Sequence, residues 1–236
     1  MLRRIAAASA IALSAVSGAR AQDLATLCRQ VMHPPVGAWS QYSMVGGRAG
    51  GATMRMAVVG AETRADTAFL WLELAVRGMP LGLPDSSSDT VAIINKLLVT
   101  GFGPAMGEPH EHIMKFGSAP AMTMPVGQAH GADAPGSTTM QDCTDGRVLG
   151  WESVTVPAGT FRAVHVQNAE GKADAWVVPD LPFGLVKAVT GGAEEDSGQM
   201  VLTGHGMGAR SQITETPRPY DPQLLMQLMM GGTPHQ

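Results

Sequence analysis

The densest collection of potential metal ligands lies between residues 103 and 136. Its members are histidines and methionines: Met106, His110, His112, Met114, Met122, Met124 and His130. Imidazole and thioether groups form a soft ligand set that suits copper, and alternate residues point to the same face of an extended chain. Copper binding by His110, His112, Met122 and Met124 is therefore an alternative function that the sequence offers. The competing interpretation is that Met114 and Met122 pack in the core and that the histidines are solvated.

Familiar catalytic and cofactor-binding motifs are missing from the sequence. It contains no Gly-x-Ser-x-Gly turn and no His-Glu-x-x-His motif. Residues 142–146 begin like a calcium loop but lack its later ligands. The carboxylates of Glu73, Glu152 and Glu170 lie on separate predicted elements with no evident pairing. The sequence therefore predicts a non-catalytic protein without a cofactor, and the alternative is an enzyme whose residues converge only in the folded chain.

Alternating polar and apolar residues indicate that most of the chain forms β-strands. The first half predicts strands at 39–45, 53–60 and 68–77. The second half predicts an antiparallel meander of strands at 147–156, 160–167, 173–178, 185–190, 198–204 and 209–214. Between the halves, residues 103–136 are rich in glycine, proline and alanine and predict a long loop excursion.

Helical spacing and capping residues predict helices at 23–32, at 89–101 and at 222–230. The second of these helices would shelter one face of the strand at 68–77, which is apolar on both faces. The expected fold class is therefore mainly β (β-rich α+β). It consists of a curved antiparallel sheet, or half-barrel, with one or two packing helices.

The first 21 residues have the pattern of a secretory signal peptide. Arg3 and Arg4 precede an apolar run, and Ala19 and Ala21 are the small residues that signal peptidase reads. We expect cleavage after Ala21 and a periplasmic or secreted mature protein. The expected domains are a signal peptide at 1–21, one β-rich domain at 22–216 and a C-terminal helix or tail at 217–236.

The mature chain is expected to be mildly acidic. Loss of the three leader arginines takes the formal charge from -4 to about -7. Without a basic cluster, this charge argues against nucleic acid as a partner, and no later segment has the length and hydropathy of a membrane span. The sequence leaves the oligomeric state open. In an oxidising compartment Cys28 and Cys143 predict one disulfide.

Two segments of the second half carry a resemblance to known proteins. Residues 150–161 read GWESVTVPAGTF and residues 176–187 read WVVPDLPFGLVK. They resemble exported bacterial proteins of unknown function that have a VPAGTF hairpin followed by a W-V-x-P-x-x-P-F-G-L-V-K strand pair. At the level of fold this group is similar to the LolA-like half-barrels of lipoprotein carriers. The resemblance implies a sheet curled around a helix, with a concave face that can hold acyl chains.

The expected fold allows three functions. In the first, an exported non-catalytic protein binds a lipid-like or other hydrophobic molecule on the concave face, which is lined by Met54, Met56, Val58, Leu70, Leu72 and Leu74. The helix near 93–98 would be its lid, although the same apolar residues would also serve as an ordinary core. The second function is soft-metal binding by the histidine and methionine residues. The third is an envelope scaffold that binds another protein through a sheet edge.

Overall fold

A computed structural model describes residues 26–27, 31, 33–46, 50–78, 92–102, 108–126, 146–191 and 197–229. The signal peptide, Cys28 and Cys143 lie outside these residues, so the predicted cleavage and disulfide stay predictions. In the described part of the chain, no helix is long and apolar enough to cross a membrane.

The described residues form one open antiparallel sheet of eleven strands. In chain order the strands are β1 (Trp39–Val45), β2 (Thr53–Arg64), β3 (Thr67–Arg77), β4 (Ile93–Val99), β5 (Glu111–Phe116), β6 (Met122–Met124), β7 (Arg147–Val156), β8 (Gly159–Gln167), β9 (Ala173–Val177), β10 (Leu185–Thr190) and β11 (Gly198–Gly206). Their spatial order is β6-β5-β4-β3-β2-β1-β11-β10-β9-β8-β7. Each half of the chain is therefore a meander, and the β1–β11 pair joins the two halves.

This architecture confirms the predicted mainly β fold class, and the sheet does not close into a barrel. A short helix, Pro222–Met229, follows the sheet, and its first turn is capped by the Asp221 carboxylate, which accepts hydrogen bonds from the amides of Gln223 and Leu224. Near the N-terminus, Thr26, Leu27 and Val31 have helical backbone.

The long hairpin of β2 and β3 shows how residue alternation creates the two faces of the sheet. Met56 lies opposite Leu74, and Val58 lies opposite Leu72. Because residues paired across neighbouring strands point to the same side, we call this side the inner face. Glu73 and Ala75 point to the other side, the outer face.

The inner face is concave, because the two halves of the sheet meet across it. One apolar cluster on this face contains Leu72 and Leu97 from the first half and Val186 and Leu202 from the second. A fully buried tyrosine, Tyr42, lies in the same cluster on the central strand β1.

The helix predicted at 89–101 is wrong where the structure describes it, because Ile93–Val99 is strand β4. It pairs with β3 on one side and with β5 on the other. Ile94 and Leu98 are buried on the outer face, whereas Leu97 and Val99 are buried on the inner face. A central strand with both faces covered has a continuous apolar run, and that run has the same spacing as an amphipathic helix.

Part of the predicted loop excursion at 103–136 is also sheet. Strands β5 and β6 extend the first half to its edge, and their turn contains Gly117 with φ of 50°. Residues 103–107 and 127–136 of the predicted excursion lie outside the described residues. The strands were overlooked because they are short and are flanked by turn-forming residues.

The predicted strand at 209–214 is wrong as well. Residues 207–218, which we call the strap, cross the outer face of the first half without joining the sheet as a strand. The Ala209 amide donates to the carbonyl of Gly37 beside β1, and the Arg218 amide donates to the carbonyl of Ala121 beside β6, each at 2.8 Å. The strap thus provides the shelter that the sequence assigned to a helix.

Candidate functional site

The six residues predicted to bind a hydrophobic ligand lie together on the inner face. All belong to or pack against the same apolar cluster: Met54, Met56, Val58, Leu70, Leu72 and Leu74. Leu70 and Leu74 are half-buried, and the other four are at most 5% exposed. These residues are therefore also part of the protein core, in contact with side chains from the second half of the sheet.

A loop between β9 and β10 covers this face. We call residues 179–184 the plug loop, because Phe183 inserts into the apolar cluster and contacts Phe102 edge to face, with ring centroids 4.9 Å apart. The buried Ser40 hydroxyl donates a 2.7 Å hydrogen bond to the carbonyl oxygen of Pro182. The plug loop therefore joins the second half of the sheet to the first.

The plug loop has a strained backbone. Phe183 and Gly184 have φ values of 60° and 69°, and this left-handed conformation costs a residue with a side chain about 1–2 kcal/mol. Packing of the Phe183 ring offsets that cost. Two features disfavour a side chain at Gly184. Its φ is in the left-handed region, and a Cβ atom there would collide with Val31.

The N-terminal helical residues pack on the second half of the inner face. Leu27 is fully buried against Val164 and Val166 of β8, and Val31 packs against Gly184 of the plug loop. Residues with helical backbone and the plug loop thus both pack on the apolar sheet.

Tyr42 brings a polar atom to the middle of this apolar face. It lies between Met54 on β2 and Leu202 on β11 and is fully buried. Its hydroxyl makes no hydrogen bond of ordinary geometry in the described part of the chain, and the nearby Ser40 hydroxyl donates to Pro182 instead. Burial raises the pKa of Tyr42 well above its ordinary value, against a smaller lowering by Ser40. The phenol is therefore a protonated donor.

The structure brings together three of the four predicted copper ligands. His112 and Met124 are directly opposite each other on β5 and β6, and Met122 lies two residues from Met124 on the same face. His110 is separate, because its ring packs against Phe69 with centroids 4.5 Å apart, and Phe69 belongs to the outer face of β3. Two further candidates, Met106 and His130, lie outside the described residues.

Sequence reasoning missed a polar cluster on the outer face of the second half. The His165 ring lies between two carboxylates, with Nδ1 2.8 Å from Glu152 Oε1 and Nε2 2.8 Å from Asp174 Oδ1. The Trp176 indole donates to Glu152 Oε2 at 2.9 Å and stacks on the His165 ring at 4.4 Å. Both ring nitrogens thus have a carboxylate partner on a neighbouring strand, and these contacts fix the orientation of the ring.

This cluster joins four adjacent strands. The Lys187 ammonium on β10 lies 5.0 Å from the centre of the Trp176 ring. The hydrogen bonds from Trp176 and, next, from His165 lower the pKa of Glu152. In the described residues, no group of three His, Cys, Asp or Glu side chains is arranged to hold a metal ion. The arrangement links neighbouring strands through side-chain hydrogen bonds and so helps to fix their register.

Both Glu152 and Glu73 have partners that the sequence did not reveal. The Glu73 side chain is 1% exposed on the outer face and accepts hydrogen bonds from the Ser211 hydroxyl and from the Gln212 amide. The sequence did contain a signal for the polar partners of Glu152 on the neighbouring strand β8. There His165 and Gln167 alternate with two buried valines, which makes one side of the strand polar.

Comparison with known proteins assigns no family. No family model matches the chain, and no curated protein matches it. Among solved structures, it is similar to a candidate lipoprotein of Parabacteroides distasonis, with a TM-score of 0.36 and 13% identity over 75% of this chain and 98% of that one. It is also similar to a candidate exported protein with a YmcC-like fold from Bacteroides fragilis. That match has a TM-score of 0.35 and 11% identity and covers 75% of this chain and 99% of that one.

A third solved structure, the MucA/MucB complex of Pseudomonas aeruginosa, gives a TM-score of 0.29 and 11% identity. The match covers 82% of this chain and 58% of that one. Likenesses at this level assign neither a family nor a function.

Proposed function

We propose that this chain is an exported, non-catalytic protein that binds a lipid-like molecule between the inner face and the plug loop. The observation that carries the proposal is the buried Tyr42 hydroxyl. Buried polar groups almost always have a hydrogen-bond partner, and this donor lies in an apolar surface next to a loop that covers it. A ligand with an apolar chain and one acceptor oxygen complements that arrangement.

The apolar part of the ligand would take the place of the Phe183 ring. Moving this ring exposes the apolar side chains of β1 to β3, and an acyl chain that takes its place restores the buried contact area. The loss of the Phe183 contacts is offset in part by relief of the strained φ at that residue. Methionines such as Met54 and Met56 adapt their shape to different chains because their side chains are flexible.

The polar end of the ligand would accept a hydrogen bond from Tyr42. A carboxylate or ester oxygen suits a protonated phenol, whereas a quaternary ammonium group does not. The leader-like residues 1–21 support the export part of the proposal, because they contain the charge, apolar run and small residues of a signal peptide.

The binding test compares Tyr42→Phe with Tyr220→Phe in a titration with a naturally fluorescent polyene fatty acid. Tyr220 is 36% exposed and lies beyond the strap, so its variant is a matched control. A hydrogen bond to a carboxylate contributes about 1.5–3 kcal/mol, so Tyr42→Phe should weaken binding about tenfold or more. Absence of saturable binding by the unmodified protein, or equal binding by both variants, would contradict the proposal.

The export test follows the mass of the chain in a bacterial periplasm. Periplasmic protein beginning at Gln22 is expected, and full-length cytoplasmic protein would contradict this part. Native mass spectrometry of the same material should show an additional acyl-containing species. The Tyr220→Phe variant should show the same species.

A further inference from the structure

We infer a second binding site, for one monovalent copper ion, on the inner face at the β5–β6 edge of the sheet. Its ligands would be His112, Met114, Met122 and Met124. This site is separate from the Tyr42 region and goes beyond the proposed lipid-type function. It rests on the register of two short strands and on the kinds of donor atom that the register brings together.

The register places the four side chains at the corners of one rectangle. His112 is opposite Met124, and Met114 is opposite Met122. Opposite residues on antiparallel strands have Cβ atoms about 5 Å apart, and residues two apart on a strand are separated by about 7 Å. Each corner is thus about 4 Å from the centre of the rectangle, so the four donor atoms can converge above it.

Three of the four side chains of the site are buried at this edge of the sheet. His112, Met122 and Met124 are all less than 9% exposed, yet none of these four residues belongs to the three apolar clusters of the described chain. Exclusion of water also favours a metal that binds soft, neutral ligands.

A neighbouring side chain orients the imidazole. His112 Nε2 lies 2.8 Å from Asn95 Oδ1, and Asn95 is opposite Met114 on the same face. Metal-bound histidines usually donate their second ring N–H to an oxygen acceptor, which fixes the ring. With Nε2–H donating to Asn95, Nδ1 is the nitrogen that would bind copper.

The donor set selects the metal. Three thioethers and one imidazole carry no negative charge, so they suit monovalent copper better than zinc or another divalent ion. Compared with the sequence prediction, Met114 replaces His110, because the His110 ring packs on the opposite side of the sheet.

A competition titration between the mature protein and a coloured copper(I) chelator tests the site. Cys28→Ser and Cys143→Ser are introduced first, because free thiolates would also bind copper(I). The protein should take one equivalent of copper(I). Met114→Leu/Met122→Leu should weaken binding at least tenfold, while leucine preserves side-chain volume.

The matched control is Met44→Leu/Met200→Leu. These two methionines also lie directly opposite each other on the inner face, on β1 and β11, and their partners on the described strands include no histidine. The control should bind copper(I) as the parent protein does. No competition by the parent, or equal affinities of the two double variants, would overturn the inference. Tyr42→Phe should leave copper binding unchanged, so failure here is distinct from failure of lipid binding.

A second measurement covers the case in which the serine variants do not fold. Calorimetric titration of the unmodified, oxidised protein with silver(I), a soft monovalent ion, should show one site that Met114→Leu/Met122→Leu removes. X-ray absorption of the copper(I) complex should show mainly sulfur neighbours with one nitrogen. Coordination by nitrogen and oxygen alone would overturn the inference.

Discussion

The Ser211 hydroxyl donates a 2.7 Å hydrogen bond to Glu73 Oε2, joining two residues that are 138 positions apart in the chain. Glu73 also accepts from the backbone amide and the side-chain amide of Gln212. A single buried carboxylate on β3 therefore anchors the strap to the outer face of the sheet.

Replacing this carboxylate should destabilise the protein. In Glu73→Ala the hydroxyl and amide donors of the strap lose their acceptor, and unsatisfied buried donors cost about 1–3 kcal/mol each. We expect the free energy of unfolding in urea to fall by about 2–4 kcal/mol. The control is Glu170→Ala, whose exposed ion pair with Lys172 is screened by solvent and should contribute little to stability. Equal losses in the two variants would contradict the anchoring role.

Acid should weaken the other end of the strap. The ion pair with Lys115 is the main cause that lowers the pKa of Glu215 from 4.5 to about 2. Because the pKa is lower in the folded protein, the stabilisation is complete above about pH 4.5 and is lost as the pH falls toward about 2. Urea unfolding between pH 6 and pH 3 should show this loss. In Glu215→Gln the free energy of unfolding should depend less steeply on pH. The prediction would be refuted if the free energy of unfolding of Glu215→Gln depended on pH as steeply as that of the parent protein.

The plug loop should tolerate no side chain at Gly184. Gly184→Ala places a Cβ atom against Val31 at a residue whose φ is 69°. Gly171→Ala is the matched control, because its φ is 70° but its nearest neighbour is the flexible side chain of Gln167 at 3.7 Å. Both variants should lose about 1–2 kcal/mol through the backbone, and Gly184→Ala should lose about 1–3 kcal/mol more through overpacking. Thermal unfolding measures the difference, and similar melting temperatures would disprove it.

Tyr42→Phe should have opposite effects on stability and on ligand binding. In the described part of the chain the buried Tyr42 hydroxyl makes no hydrogen bond of ordinary geometry, so removing it should raise the free energy of unfolding of the ligand-free protein by about 1 kcal/mol. Tyr220→Phe should leave it unchanged. Chemical denaturation of delipidated protein provides the measurement. A destabilised Tyr42→Phe would mean that the hydroxyl has a structural partner, and the ligand proposal would lose its main support.

The parts of the fold that could be predicted from the sequence are those with strict alternation. Met54 to Val58 and Leu70 to Val76 alternate clearly, so β2 and β3 and their inner face follow from local pattern. The β4 residues Ile94 and Leu97 have spacing that suits either a helix or a strand. Only the neighbouring strands, which cover both of its faces, decide between them.

The candidate sites could be predicted only in part from local sequence pattern. The six inner-face residues were found because each strand shows its own apolar side. Which methionine faces His112 depends instead on the pairing of β5 with β6, and a shift of one residue would have placed these side chains on opposite faces. The hydrogen bonds of His165 join residues from three strands. The sequence shows these residues but not the contacts between them.

The strap makes the outer face of the first half depend on a segment that is synthesised after all eleven strands of the described sheet. Until residues 207–218 arrive, Ala75, Ile94 and Ile113 have no cover from Ile213, which packs on them in the folded protein. A chain that is released early therefore exposes an apolar surface and leaves the Glu73 carboxylate without its donors. This face is buried only after the strap has been made, so chains that stop before it carry an exposed apolar surface that favours aggregation or proteolysis.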